Sequence, residues 1–285
     1  MAVRIVTDST ADLPPTLAQE LDITVVPLNV HFGEETFLDG VDLEADRFYQ
    51  RLTTEPQLPT TSQPSPGRFI QAYRPLAEAG HQVVSIHISS KLSGTLNSAL
   101  QAKEQLGNVP LEIVDSYQAT MGLGLIVVAA ARAVKDGASY EEALEVTRKA
   151  IGQVQLFGLL DTLEYLQKGG RIGKVRGFIG SLLRVRPIVT IQEGIVHSVT
   201  SVRSRAAGIQ YMVTLAEERA PLMQAAVMYS TTPQEADQLA ERVRVLVPSG
   251  DVIQARMGPV LGTYVGPGTI GVVLQSEKSQ KTESV

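Results

Sequence analysis

The chain has 285 residues, 44% hydrophobic and 19% charged, with a formal net charge of -5 and no cysteine. That apolar fraction supports a sizeable core and excludes a disordered chain. The absence of cysteine excludes a disulfide scaffold, a thiol nucleophile and cysteine-ligated zinc, and the acidic balance argues against a broad nucleic-acid surface.

The opening "MAVRIVTDST" lacks a long apolar region, so it does not read as a secretory signal. The most apolar run, "MGLGLIVVAAA" from Met121, has 11 residues, whereas a membrane span needs about 20. It reads as a buried helix. The expectation is a cytoplasmic protein with no integral membrane segment and at most a transient membrane contact.

From the N-terminus, "VRIVT" reads as a strand followed by a helix in "DSTADLPPTLAQEL", with Asp8 or Ser9 as its cap. "ITVVPLNVHF" is a second extended run. "PGRFIQAYRPLAEAG" is helical, "QVVSIHIS" a buried strand, "TLNSALQAKEQLG" a helix and "LEIVDS" a strand. The apolar helix from Ala119 and a helix in "SYEEALEVTRKAI" follow. Such alternation predicts βαβ units, an α/β fold and a mainly parallel sheet.

Beyond about residue 153 the pattern becomes α+β. Strands are expected in "QLFGLLD", "RPIVTIQEGIVHSVTSV", "AAVMYS", "VIQARMG" and "TIGVVLQ", with a hairpin at Glu193–Gly194. Helices are expected in "DTLEYLQKGG", "VRGFIGSLL", "SRAAGIQYMVTLAEERA" and "PQEADQLAERVRVLV". Two domains are predicted, residues 1–153 and 154–285, the last ten or so residues forming a flexible tail.

Two hydroxyl-rich stretches carry the functional signal. "PTTSQPSPGRF" puts Thr60, Thr61 and Ser62 before Ser65, which can cap a helix that opens at Pro66. "SSKLSGTLNS" follows a strand, and Ser93-Gly94-Thr95 open the next helix. Unbonded N–H groups and the helix dipole favour an anion there, and Gly94 admits close approach to the backbone. Only Lys91 and Arg68 bring a cation near in sequence, so hydroxyls and amides suit a carboxylate better than a triphosphate. The plain alternative is that these side chains only cap helices and turns, which is the reading for Ser65.

Other motifs fail. "GPGTIG" at Gly266 has no room for a dinucleotide unit after it, "KGGRIGKV" lacks the first glycine and the final Ser/Thr of a P-loop, and no G-x-S-x-G occurs. His31, His81, His87 and His197 show no metal-ligand spacing. His87 reads as a satisfied core residue, and Asp8 and Asp115 as caps.

The segments "VTDSTADLP", "PTTSQPSPG", "ISSKLSGTLNSA", "VDS", "LEYLQKGGRIG", "RPIV" and "GPVLGTYVGPGTIGV" occur in one order. In these the chain resembles the DegV family of bacterial fatty-acid-binding proteins along nearly its whole length. The resemblance implies an N-terminal α/β domain, a C-terminal α+β domain and a long-chain fatty acid, palmitate or similar, between them, with no cofactor. It further implies carboxylate binding by Thr61, Ser93 and Gly94, with Ser62, Thr95 and Asn97 as neighbours. Tyr264 stands where the family often has histidine; a phenol can donate to the carboxylate but does not titrate near neutrality. The tunnel is expected to draw on "VRGFIGSLL" and the run from Met121.

The resemblance also implies a partner, a fatty-acid kinase subunit that phosphorylates the presented carboxylate, so that this chain itself is not a catalyst. From Lys168 to Arg205 there are eight basic residues and one acidic residue, a local +7 that leaves -12 on the remainder. Within that basic island, Arg171 and Arg203 match positions tied to kinase docking or phosphoryl handling. The alternative is a stand-alone phosphotransferase or hydrolase using Ser93. A DNA-binding regulator would need a basic recognition helix and is disfavoured by the net charge.

Overall fold

The computed structural model describes residues 2–178 and 185–277. The first half runs through β1 (Val3–Asp8), α1 (Pro15–Glu20), β2 (Ile23–Val26), β3 (Asn29–Phe32), β4 (Glu35–Leu38) and α2 (Ala45–Thr54). It continues with β5 (Thr60–Ser62), α3 (Pro66–Glu78), β6 (Gln82–His87), α4 (Thr95–Leu106), β7 (Leu111–Asp115), α5 (Met121–Lys135) and α6 (Tyr140–Gln153). The second half holds β8 (Val154–Leu159), α7 (Glu164–Lys168), β9 (Arg186–Gln192), β10 (Ile195–Val202) and α8 (Arg205–Arg219). It ends with β11 (Gln224–Tyr229), α9 (Pro233–Arg244), β12 (Val252–Arg256), α10 (Pro259–Val265) and β13 (Ile270–Gln275).

The α/β expectation is met. Strands β2-β1-β6-β7 form a wholly parallel sheet. A six-stranded sheet, β10-β9-β8-β13-β11-β12, is antiparallel except at its β11–β12 edge. The hairpin turn falls at Glu193 and Gly194, with φ of +50° and +78°, the paired left-handed geometry that matches strand twist.

Several elements differ from the sequence reading. "ITVVPLNVHF" is not one strand. Pro27, lacking an N–H, divides β2, in the parallel sheet, from β3, in a three-stranded sheet of order β4-β3-β5. The helix expected from Asp8 is interrupted: Asp8 caps the single turn Ser9–Ala11, Asp12 takes φ +50°, and helix resumes at Pro15. The stretch "TTS" is a strand rather than a loop, paired with Asn29–His31. Residues 35–54, with no clear period, hold β4 and the amphipathic α2, which buries Phe48, Tyr49 and Leu52. Tyr264 lies on a short helix, α10, where no element is expected from the sequence. The "VRGFIGSLL" helix begins as a 3-10 turn at Gly173–Phe178; its remainder, like most of the expected tail, lies outside the described residues.

Helix α5 occupies the middle. Every residue from Met121 to Val128 is buried, because β1 and β6 pack on one side and β8, β11 and β13 on the other. This explains the all-round apolar sequence, since a helix enclosed by two sheets has no solvent face. One cluster joins Ile5 and Val84 of the parallel sheet to Leu125, Leu156, Met228 and Val273. Among the described residues no helix is long and apolar enough to cross a membrane.

Leu125→Ala should cost about 2–5 kcal/mol and, because both sheets share this helix, leave one unfolding transition. Denaturant titration followed by circular dichroism and tyrosine fluorescence checks this; two separated transitions would show that the sheets do not depend on α5 together.

Candidate functional site

Strand β5 is held by its ladder to β3, in which Val30 is the register partner of Thr61. Ladder bonds, together with Pro64 and Pro66 just beyond, fix this segment. The turn after β6, leading through Ser93 into α4, lies against it. A Cβ on Gly94 would sit 2.9 Å from Gln63 Nε2, so only glycine there lets Gln63 cross the turn undisturbed.

Helix α10 supplies the third side. Its Tyr264 hydroxyl lies 2.5 Å from Thr61 Oγ1, across 203 positions of sequence. Gly262 faces α2, where an added Cβ would meet Phe48 at 2.5 Å, so glycine permits the close packing that sets the helix position. Arg171, just beyond α7, donates from Nε to the Leu92 carbonyl (3.2 Å) and from a terminal nitrogen to the Gly169 carbonyl (2.8 Å). Its guanidinium carbon stands 5.0 Å from the Tyr264 ring centroid, within cation–π range.

Behind these groups runs a cavity. Thr61, Ser62, Gln63, Ser93, Arg171 and Tyr264 line it. The rest of its wall is mainly apolar: Leu28, Ile88 and Leu92 from the first half, Leu156, Val189, Ile191 and Val196 from the six-stranded sheet, and Val260 and Leu261 from α10. Two lining threonines turn their hydroxyls into the protein. Thr120 donates to Asp12 Oδ2 (2.6 Å) and Thr269 to the Val265 carbonyl (2.8 Å). The cavity is therefore polar at the donor cluster and oily elsewhere.

Of the residues singled out in the sequence, Thr61, Ser62, Ser93, Arg171 and Tyr264 meet at this cavity. Ser62 Oγ is also bonded to His31 Nε2 (2.9 Å) and Asn29 Nδ2 (3.1 Å). Gly94 contributes through the space it leaves for Gln63. Thr95 is buried and holds Ser93, hydroxyl to hydroxyl, at 2.9 Å. Asn97 is exposed and lines a different groove, with Gln63 and Arg68. Arg203 is exposed where β10 gives way to α8 and does not line the cavity. Gln63 was missed by the sequence reading; its only signal is adjacency to the hydroxyl run. The run from Met121 does not line the cavity, because α5 is consumed by the core; only Ala119 and Thr120, just before it, do.

The basic island is smaller than its sequence count. Lys168 pairs with Glu164, Arg186 with Asp161, and Arg205 with both Asp161 and Glu235. Arg171 differs: its contacts are carbonyls and a ring, and among the described residues no carboxylate pairs with it.

A Ser-His-Asp constellation exists elsewhere. Asp8 Oδ2 lies 2.9 Å from His87 Nδ1, and His87 Nε2 lies 2.7 Å from Ser85 Oγ, which also meets the Tyr73 hydroxyl at 2.8 Å. All three are fully buried. A nucleophile needs access to its substrate, so this network is structural: it locks Asp8, which caps Thr10 and accepts from the Ile88 amide at 3.1 Å. Ser93 has only Thr95 as a side-chain partner, and among the described residues no base reaches it.

The arrangement defines a class: an α/β protein in which hydroxyl donors from separate elements cluster at one end of a mainly apolar cavity. The DegV family model matches residues 2–277, and the chain belongs to that family. It is 33% identical over 276 residues to Protein DegV of Bacillus subtilis (strain 168), covering 95% of this chain and 98% of that one. Among solved structures it is similar to a DegV family protein from Thermus thermophilus described by its fatty acid binding, at 32% identity and TM-score 0.90, over 97% of this chain and 100% of that one. It is also similar to a stearic acid-binding protein from Eubacterium ventriosum, at 28% identity and TM-score 0.83, over 97% of this chain and 99% of that one.

A fluorophosphonate probe should leave Ser85 unmodified in the folded protein. Peptide mass spectrometry reads this directly, and labelling at Ser85 would mean that the buried network opens to solvent.

Proposed function

We propose that this chain binds a long-chain fatty acid, with the carboxylate at Thr61, Tyr264 and Ser93 and the acyl chain in the cavity behind. One observation carries the reading: side chains from β5, the turn after β6 and α10 converge at the polar end of a space whose remaining wall is mainly apolar. The Thr61 and Tyr264 hydroxyls each have a proton to offer a carboxylate oxygen placed between them and Ser93. Arg171, held by carbonyls beside Tyr264, supplies positive charge that offsets the desolvation of the carboxylate. Burying one methylene is worth about 0.8 kcal/mol, so an acyl chain of about 16 carbons contributes roughly 11 kcal/mol before association costs. The chain thus supplies most of the affinity and the donors its orientation. Fatty acid and stearic acid binding by the relatives in Thermus and Eubacterium supports the assignment.

The wider role follows from where the carboxylate would sit. An outer groove bordered by Leu58, Thr60, Tyr165 and Lys168 shares Thr61, Arg171 and Tyr264 with the cavity. A head group at these three residues is within reach from outside while the acyl chain stays covered. In this reading residues 1–153 form the domain carrying the donor turns, and 154–285 the domain carrying most of the wall. A separate ATP-dependent kinase phosphorylates the presented carboxylate, and this chain is a non-catalytic carrier. Arg171 orients the head group, and exposed Arg203 serves docking. Among the described residues no base reaches Ser93, which weighs against hydrolysis or phosphotransfer by the chain alone.

Native mass spectrometry of the protein purified from cells should show a mass released on denaturation that matches a fatty acid. Thr61→Ala and Tyr264→Phe should each weaken palmitate retention by roughly 10–100-fold, the value of a hydrogen bond to a charged group. Arg203→Ala should leave retention intact and slow acyl-phosphate formation with the kinase. No co-purifying acid together with no palmitate or oleate binding would refute the reading.

A further inference from the structure

The segment that delivers Tyr264 is fastened from behind by two buried carboxyls. Asp12 accepts from the Gly258 amide at 2.8 Å through one oxygen and from the Thr120 hydroxyl at 2.6 Å through the other. Asp39 accepts from the Val260 amide at 3.4 Å. The two carboxyls flank Gly258 closely: a Cβ there would lie 3.1 Å from Asp39 Oδ1 and 3.2 Å from Asp12 Oδ1. Asp12 and Asp39 are only 8% and 4% exposed, and Asp39 Oδ2 is buried with no hydrogen-bond partner. Thr120 and Val260 both line the lipid cavity, so the pair stands directly behind its wall. A second cavity, lined by Asp8, Asp12, Asp39, Arg256 and Gly258, reaches the pair from the other side and gives protons a way in.

We infer that Asp12 and Asp39 are positioning residues that act as a proton-dependent clamp on α10, tight while the pair retains protons and loosened when both carboxyls ionise. Two carboxylates on either side of one glycine repel each other, and the donors there, the Gly258 and Val260 amides and the Thr120 and Ser9 hydroxyls, offset only part of the cost of burying that charge. Asp8, at the end of β1, adds a further negative group and is engaged by His87. Tyr49 on α2 cannot neutralise a carboxylate; its hydroxyl donates to the Met257 carbonyl at 3.1 Å. Among the described residues Arg256 on β12 is the cation lining that second cavity, and it is engaged by Asp46 at 2.5 Å and by the Ser230 carbonyl at 3.2 Å.

Titration follows the same direction. Burial, with a smaller push from Asp39 and Asp8, raises Asp12 to about 8 against the pull of Thr120 and Gly258. Burial raises Asp39 to about 7 against the pull of Ser9 and Val260. Both carboxyls therefore bind protons more tightly in the folded chain than in the unfolded one. The stability they hold is complete below about pH 4, declines as pH rises, and is lost once pH passes through the folded values near 7 and 8. The clamp should then be firm in mildly acidic solution and slack in alkaline solution. The consequence for lipid rests on the fatty-acid reading: α10 carries Tyr264, Val260 and Leu261, so a slack clamp shortens the residence of the bound acid.

Amide hydrogen exchange of the lipid-free full chain, read by mass spectrometry on peptides spanning 257–266, tests the clamp without reference to any ligand. After correction for the intrinsic rate, protection should fall about tenfold or more between pH 6 and pH 9, while peptides of α6 hold theirs. Asp39→Asn, which keeps the shape and removes the charge, should flatten that dependence. Unchanged wild-type protection across the range, or the same loss in Asp39→Asn, would overturn the clamp. If the variant does not fold, the wild-type series decides alone. Release of preloaded palmitate should quicken over the same pH interval. A wild type that holds no palmitate at any pH would refute the fatty-acid reading, leaving the exchange data to judge the clamp.

Discussion

A carboxylate can be held at the end of an oily space only if donors stand in place before it arrives, since leaving an ionised group unpaired there costs several kcal/mol. In the proposed reading, the contact between Thr61 and Tyr264 is where this chain would meet that demand. Its two hydroxyls come from a strand and a helix 203 positions apart and stand 2.5 Å from each other. The β3–β5 ladder and the close approach of Gly262 to α2 hold the two side chains side by side. A donor free to wander would lose on binding the entropy that the ladder and the helix packing have already removed.

The cavity depends in turn on α5. By filling the gap between the parallel and the six-stranded sheets, this helix holds them as one body, with apolar side chains on every face. The space for a ligand is then left to one side, where Leu92, Val189, Ile191 and Val260 form a wall without demanding polar partners. The Asp12–Asp39 pair belongs to the same design. It lies between this wall and the second cavity, and its bonds to Gly258, Val260 and Thr120 join α10 to the start of α5.

Much of the fold was legible because periodicity and punctuation agree in most segments. The alternation from Val3 to Asp115 and the Glu193–Gly194 hairpin both follow from local chemistry. Thr61 and Ser93 stood out in the sequence as clustered hydroxyl donors, the family resemblance added Tyr264, and all three line one cavity. Three things were not legible. Strand β5 is three residues long and is a strand only because β3 lies beside it. Charges within 168–205 were counted without Asp161, Glu164 and Glu235, which pair with Lys168, Arg186 and Arg205, three of the eight basic residues. Asp12 falls within an expected helix and Asp39 in a stretch with no assigned element, and only folding shows them buried behind α10.

A crystal structure of this chain grown with palmitate tests the central claim most directly. The account predicts one carboxylate oxygen within hydrogen-bond distance of both Thr61 Oγ1 and the Tyr264 hydroxyl, with the acyl chain running past Val189 and Val260. An acid bound in the reverse direction, or lodged outside this cavity with Thr61 and Tyr264 still bonded to each other, would contradict it.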